Sequence, residues 1–352
     1  MRSEADVAVV GAGVVGLAAA RALARAGRSV VVLEQFRVGH VHGSSHGTSR
    51  IFRLAYAEAE YVELAQRVQA LWRELELETG ERILEATGSL DVGGDLDPFV
   101  RALDESGVQA EVLDGAALRR RWPRLHLPDD RALYHADGGV LHANRALAAL
   151  RSSVLAVGVR LREQTTVRSL EHEDGAVVLE TTAGPMRVGA AVVAAGAWAP
   201  RLAELPVTVT RETVAHFRLA GTDVLPTIID RSPPTVQPSR SHQAAYALLS
   251  PVIGIKAGVH RSGAEVDPDT VSAPDEAVVR ATAAWLSERF PLATPKPALL
   301  ETCLYTSTPD ERFVLERRGR VVVASACSGH GFKFAPENGR RIAELAGEAL
   351  AD

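Results

Sequence analysis

The chain has only two cysteines in 352 residues, Cys303 and Cys327. That is too few for a disulfide framework, and the usage fits a reducing cytosol. It has no excess of basic charge. A net charge of -5 and a pI near 6.1 leave no electrostatic footprint for a nucleic-acid partner. No run reaches the roughly 18 apolar residues of a membrane span. The apolar run Val7–Ala20 does not read as a secretory leader, because Gly11, Gly13 and Gly16 interrupt it and Glu4 and Asp6 stand where positive charge belongs. The end, Leu350-Ala351-Asp352, is not a peroxisomal Ser-Lys-Leu signal. Internal repeats and low-complexity tracts are absent. His135 and His142 read as loop or surface histidines without metal-ligand spacing, so no metal is expected. What remains is a composition 46% hydrophobic and 24% charged, with ample material for a core and a length prior of about two domains. The expected location is the cytoplasm.

The first thing present is a βαβ unit. Asp6–Val10 is a short apolar run that reads as a buried strand. It enters Gly11-Ala12-Gly13-Val14-Val15-Gly16, then a helical stretch Leu17–Ala26 closed by Gly27, then a second strand Ser29–Leu33 ending at Glu34. Gly11 allows the tight turn, Gly13 lets backbone approach a pyrophosphate, and Gly16 lets helix and strand pack closely. The helix N-terminus offers N–H groups and partial positive charge to that pyrophosphate. Glu34, 18 residues after Gly16, is placed to accept from a ribose hydroxyl. The acid favours FAD or NAD over NADP and does not separate the first two.

Gly43–Arg53 is small, polar and glycine-punctuated, then basic. It reads either as a loop along a cofactor or as a solvated basic loop. Tyr61–Glu78 has helical apolar spacing with Trp72 in the core. Gly88–Val92 reads as a strand, Asp97–Gly107 and Asp114–Trp122 as short helices, and Asn144–Val157 as a longer one. Val159–Arg162 and Thr166–Ser169 look like strands, and Val177–Thr182 with Pro185–Val188 a hairpin. Ala190–Trp198 is expected as a buried strand reaching the phosphate loop.

From about Leu205 the pattern turns antiparallel, with strands at Arg211–Leu219 and Tyr246–Leu249 and a Pro/Ser-rich loop over Arg231–Arg240. In Gly254–His260, alternation puts Lys256, Gly258 and His260 on one face, either the exposed face or an inner one where the lysine has a task. Asp275–Phe290 is a helix, Phe313–Glu316 and Arg320–Ala324 are strands, and Glu337–Leu350 is a closing helix. Two stretches carry reactive side chains near the end: Thr302–Asp310, with Cys303, and the glycine-spaced Ser328-Gly329-His330-Gly331-Phe332-Lys333.

Together these pieces, in this order, resemble the monomeric sarcosine oxidase family within the D-amino-acid-oxidase-like FAD amine oxidases, whose members include N-methyltryptophan oxidase and pipecolate oxidase. The carrying motifs are Gly43–Arg53, Gly254–His260, Cys303–Glu311 and Ser328–Phe334. The resemblance implies an α/β plus α+β fold, in which a Rossmann-type FAD-binding domain (1–83, 138–204, 311–352) is interleaved with a mostly antiparallel substrate domain (84–137, 205–310). It implies FAD attached covalently through Cys303 at the 8α-methyl. Lys256 would activate oxygen, and Arg50 would lie on the other side of the ring. Arg53 and Lys333 would bind the substrate carboxylate, with His260, Tyr305, His330 and Tyr246 around it. Further cofactor contacts implied are Gly11–Gly16, Glu34, Gln35, Ser44, Ser49, Val167, Ala195, Gly196, Trp198 and Gly329–Lys333. The sequence departs from the family at Tyr246–Pro251, where an aromatic Tyr-Gly-Phe-Pro segment is usual, and at Ser45, where a second histidine is usual.

The expected activity is oxidation of a secondary-amine amino acid, N-methyl or cyclic. Hydride would pass to flavin N5, O2 would be reduced to hydrogen peroxide, and the imine would hydrolyse. The expected protein is a monomer acting on a small molecule, without nucleic-acid or membrane partners. Two alternatives stand beside it: a flavin dehydrogenase or biosynthetic oxidase of a bulkier cyclic imino acid, and a flavin-binding subunit without turnover.

Overall fold

The computed structural model describes residues 3–128, 131–221, 224–232 and 244–352. The Pro/Ser-rich loop expected over Arg231–Arg240 lies outside the described residues from position 233 on. Two large sheets dominate the rest. Val7–Val10 sits inside a six-stranded sheet whose order is Val314–Arg318, Val321–Ser325, Ala190–Val193, Val7–Val10, Val30–Leu33 and Arg160–Arg162. All neighbours are parallel except the Val314–Arg318/Val321–Ser325 hairpin. The central strands are uninterrupted apolar runs because both faces are covered. Helices Val14–Arg25, Ala143–Ala156 and Ala335–Ala351 cover one face. The three-stranded meander Val167–Glu173, Ala176–Thr181 and Gly184–Val188 covers the other. A Cβ on Gly16 would lie 1.9 Å from the carbonyl oxygen of Gly11, so the first helix can start this close to its strand only with glycine there.

The second sheet has nine strands among the described residues, mostly antiparallel, with Thr208–Arg218 paired to both Gly254–Val259 and Leu299–Ser307. Its register sorts side chains by parity, since successive residues point to opposite faces. One parity, including Leu90, Ile228, Ala247, Ile255, Ala257, Ala215 and Phe217, packs against Trp285, Leu286 and Phe290 of the helix Glu276–Arg289 and its end. Asp275 caps that helix by accepting from Ala277 N and Val278 N, a contribution of about 1 kcal/mol. The other parity brings Asp91, Ile229, Tyr246, Gly258, Lys256, His216, Glu212, Glu301, Cys303 and Tyr305 to one shared face.

Several expectations need correction. The strand beginning at Ala190 ends at Val193. The chain then turns through a short 3-10 helix, Gly196–Arg201, where Trp198 donates from Nε1 to Asp269 Oδ1 at 2.7 Å. His135 and His142 are not surface residues, being 1% and 5% exposed. His135 ends the strand Ala132–His135 beside Asp91, and His142 Nε2 lies 3.1 Å from Glu85 Oε2. The Gly329–Lys333 segment is a turn that becomes a 3-10 helix at Gly331–Phe334 and continues directly into Ala335–Ala351. Lys256 is 6% exposed, so its strand face is the inner one. No helix among the described residues is long and apolar enough to cross a membrane.

Candidate active site

A cavity of about 1620 Å³ is lined by residues of both large sheets and of the Gly39–Arg53 connection. All the sequence-predicted site residues line it except Gly16, which lies buried one step behind the glycine turn and acts through the close crossing described above.

One end of the cavity is built by Gly11–Val15, Glu34, Gln35, Thr165–Arg168 and Ala194–Trp198. Glu34 is buried, yet its carboxylate is held by backbone: Oε2 accepts from Ala12 N at 2.8 Å and Oε1 from Phe36 N at 2.9 Å. A carboxylate oxygen has lone pairs beyond one such bond, so the group that braces the glycine turn can still accept from a ribose. Ser45 Oγ accepts from Val14 N at 3.1 Å, so this serine seats the Gly43–Arg53 segment on the helix N-terminus. A glycine turn at a helix N-terminus and a buried acid together fit a dinucleotide such as FAD.

The middle of the cavity holds two cations, a half-buried Arg50 and a buried Lys256. Arg50 donates to three carbonyls of its own loop, those of Ser49, Ser44 and His46 at 2.9, 2.8 and 2.6 Å, and its guanidinium lies 5.2 Å from the Phe332 ring centroid. Lys256 Nζ donates to Ser49 O at 3.1 Å. Burial, with the Arg50 charge adding to it, lowers Lys256 to about 8. Cys303 stands on the same face, opposite Glu212, and burial pushes its thiol up to about 11, against the pull of Arg50 and Lys256. Cys327 lines the cavity too, and both cysteines are free thiols.

At the far end, Arg53 and Lys333 converge on Tyr56. The Arg53 guanidinium stacks 4.3 Å from the Tyr56 ring centroid, and Lys333 Nζ donates to Tyr56 Oη at 3.0 Å and to His330 O at 3.2 Å. Burial first, then Arg53 and Arg50, hold Lys333 well below its ordinary value. The lysine's backbone is fixed from behind, where Trp72 donates from Nε1 to Lys333 O at 2.8 Å. Arg53 is not free to give its whole fork to a ligand, since Nη1 also donates to Ala55 O and lies 3.8 Å from Asp91 Oδ1. Gly329 has φ 76°, and a Cβ there would strike Tyr305 at 2.4 Å and His260 at 2.6 Å. Only glycine lets this turn close on those two rings. His260 and His330 are both held down to about 3 by burial and by neighbouring positive charge, so both are neutral imidazoles. His330 donates from Nε2 to Glu311 O at 3.1 Å.

Sequence reasoning missed Tyr56, Asp91, Glu301, His216 and the Arg261–Glu311 ion pair. One compositional signal pointed the right way: the chain has three lysines against 36 arginines, and two of the three, Lys256 and Lys333, line the cavity.

Comparison with known proteins agrees with this geometry. Residues 6–345 match the family described as FAD dependent oxidoreductase. The chain is 32% identical to the monomeric sarcosine oxidase of Arthrobacter sp. (strain TE1826), covering 98% of this chain and 93% of that protein. It is 31% identical to the N-methyl-L-tryptophan oxidase of Salmonella arizonae, covering 97% and 94%. Among solved structures it superposes on NikD, an amino acid oxidase of nikkomycin biosynthesis, with a TM-score of 0.88 at 28% identity over 98% of this chain and 94% of that one.

The site imposes a pH signature on stability. His46 and His135 are lowered to about 4 and His260 and His330 to about 3, with burial the first cause each time. The unfolded chain takes up these protons near 6.5 and the folded chain does not. Stability should therefore be full above pH 6.5 and fall as pH drops toward 4, by up to about 1.4 kcal/mol per pH unit for each histidine. Denaturant unfolding at pH 7.5, 6 and 5 measures this, and equal stabilities would mean the imidazoles charge in the native state.

Proposed function

The chain belongs to the FAD-dependent oxidoreductase family, and from that premise we propose that it oxidises a secondary-amine amino acid, N-methyl or cyclic, with O2 as electron acceptor. The observation that carries this reading is the convergence of two cations, a half-buried Arg53 and a buried Lys333, on Tyr56 at the end of a cavity whose other end suits a dinucleotide. When bound, FAD supplies the hydride acceptor at N5 and the electrons that reduce oxygen to hydrogen peroxide.

Arg53 and Lys333 bind the substrate carboxylate through charge-assisted hydrogen bonds. Burial is the first cause that lowers Lys333, and an arriving carboxylate counters the Arg53 and Arg50 charges that add to it, so the ammonium form is favoured as substrate binds. The same cations favour the neutral amine, the form able to release hydride. His260, His330 and Tyr305 present neutral polar walls, and Tyr246, opposite Gly258 on the sheet, closes the side of the pocket. Lys256 stands apart from this pair as the fixed cation for oxygen reduction, with Arg50 ordering the loop next to it. His330 N and Gly331 N already donate to Cys327 O, so within this turn the N–H groups of Gly329 and Phe332 are the backbone donors that would meet negative charge on the flavin. The imine product leaves for water and hydrolyses.

We assign 1–83, 138–204 and 311–352 to the flavin-binding part and 84–137 and 205–310 to the substrate part, in a protein that works as a monomer. We also infer that Cys303 would form a thioether to the flavin 8α carbon, losing its S–H proton as the methyl group loses one C–H proton, with the two electrons left on the flavin and passed on to O2. Its face position beside Lys256 and Arg50 supports this. Its raised thiol makes attachment depend on deprotonation.

The reading is tested with a panel of N-methyl and cyclic amino acids, followed by peroxide release and anaerobic flavin bleaching. Peroxide with at least one secondary amine is expected, and a flavin that no amine bleaches would end the proposal. Replacing Arg53 by Ala should raise KM for carboxylate substrates about 10- to 100-fold, the loss of a pair worth roughly 1.5–3 kcal/mol; an unchanged KM removes Arg53 from the carboxylate site. After acid precipitation the yellow colour should stay in the pellet of the native protein and of Cys327→Ser, and pass to the supernatant for Cys303→Ser. Colour released from the native protein would refute the thioether.

A further inference from the structure

The face that carries Lys256 also carries an acid and a histidine to which no role has yet been given. His216 is paired across the ladder with Lys256 on one side, and Glu301 stands one diagonal step away on the adjoining strand. His216 is fully buried, and its Nε2 donates to Glu301 Oε2 at 2.7 Å while Ser250 Oγ lies 3.2 Å from Nδ1. These partners set the tautomer and fix the carboxylate in place. A Cβ on Gly47 would lie 3.8 Å from Lys256 Nζ, 4.0 Å from Glu301 Oε2 and 3.3 Å from Arg50 Nη1. The ammonium, the carboxylate and the guanidinium therefore flank the same glycine, and strand alternation in the large sheet puts the first two on one face.

We propose that Glu301, anchored by His216, is the counter-ion that keeps Lys256 in its ammonium form, and so a positioning residue for the oxygen half of the reaction. This rests on the oxidase reading above. The groups facing Lys256 are Arg50 and His46 from the Gly43–Arg53 segment, His216 and Glu212 from Thr208–Arg218, Glu301 and Cys303 from Leu299–Ser307, and Tyr246 from Ala245–Ser250. His46 is neutral, Cys303 is a thiol and Tyr246 a phenol at physiological pH, while Glu212 is committed to Ser262 N, Gly263 N and the Thr210 hydroxyl. Against burial and Arg50, Glu301 is thus the carboxylate available to balance the lysine. It stays ionised, held down to about 2 by the His216 hydrogen bond and then by Lys256. Removing that charge lowers Lys256 further, so the ammonium is lost at a lower pH.

The scarcity of lysine makes a direct test possible. In flavin-loaded protein labelled on lysine with 13C and 15N, three side-chain signals are expected, and Lys256→Met assigns one. The Lys256 signal should titrate near pH 8. In Glu301→Gln its midpoint should fall by roughly one unit, whereas Glu301→Asp, which keeps the charge, should stay close to wild type. The alkaline limb of flavin reoxidation by oxygen should move with it. A midpoint unmoved in Glu301→Gln, or a moved midpoint with an unmoved reoxidation profile, overturns the proposal. If Glu301→Gln takes up no flavin, His216→Gln, which frees the carboxylate from its anchor, should shift the midpoint in the same direction by less, and no shift there also overturns it. Failure of the underlying reading shows differently: Lys256→Met would then reoxidise at the wild-type rate.

Discussion

Arg50, Arg53, Lys256 and Lys333 are among the cationic side chains that line a single cavity, and drawing such groups out of water costs several kcal/mol unless partners replace the lost hydration. Much of the compensation comes from backbone carbonyls. Arg50 takes three, Lys256 one, Lys333 one and Arg53 one. Carbonyls satisfy donors without neutralising charge, so the region remains electropositive. That suits the proposed binding of a carboxylate and the negative charge that the proposed reaction would develop. Carboxylates near these cations are themselves engaged, as Asp91 is shared between Arg53 and Arg231 and Glu311 is paired with Arg261.

The second constraint is the register of the large sheet. Because side-chain parity is two, one choice of pairing puts Lys256, Cys303, Glu301, Tyr305 and Tyr246 on the cavity face and Ile255, Ala257, Ala247 and Phe217 in the core. A slip of one residue in the Leu299–Ser307 pairing would bury Leu304's apolar neighbourhood wrongly and withdraw Cys303 at once. The chemistry is thus tied to fold stability through the pairing with Thr208–Arg218, which runs nine residue pairs long.

The first βαβ unit was legible because glycine spacing, apolar runs and a terminal acid are local signals that agree with one another. The Gly254–Val259 strand was legible too, but not which of its faces is buried, since that depends on what packs against it. His135 and His142 were misread because polarity was taken for exposure, whereas buried imidazoles can be met inside the fold: Leu54 N donates to His135 Nε2, and His142 Nε2 pairs with Glu85. The Ala190 strand was drawn too long because Ala195-Gly196-Ala197-Trp198 is as apolar as the strand before it, yet Gly196 at φ 53° turns the chain. Tyr56 and Glu301 could not be found from local pattern. Each gains its place only when segments far apart in sequence are brought together by the two sheets.

Lysine usage has a consequence outside chemistry. With Lys256 and Lys333 buried, Lys296 is the one lysine side chain left exposed to solvent. Apart from the amino terminus, an amine-reactive bead, electrode or cross-linker would therefore hold every molecule at the same place on the connection between the helix Glu276–Arg289 and the strand Leu299–Ser307. The protein would be immobilised in nearly one orientation without any engineering of its surface.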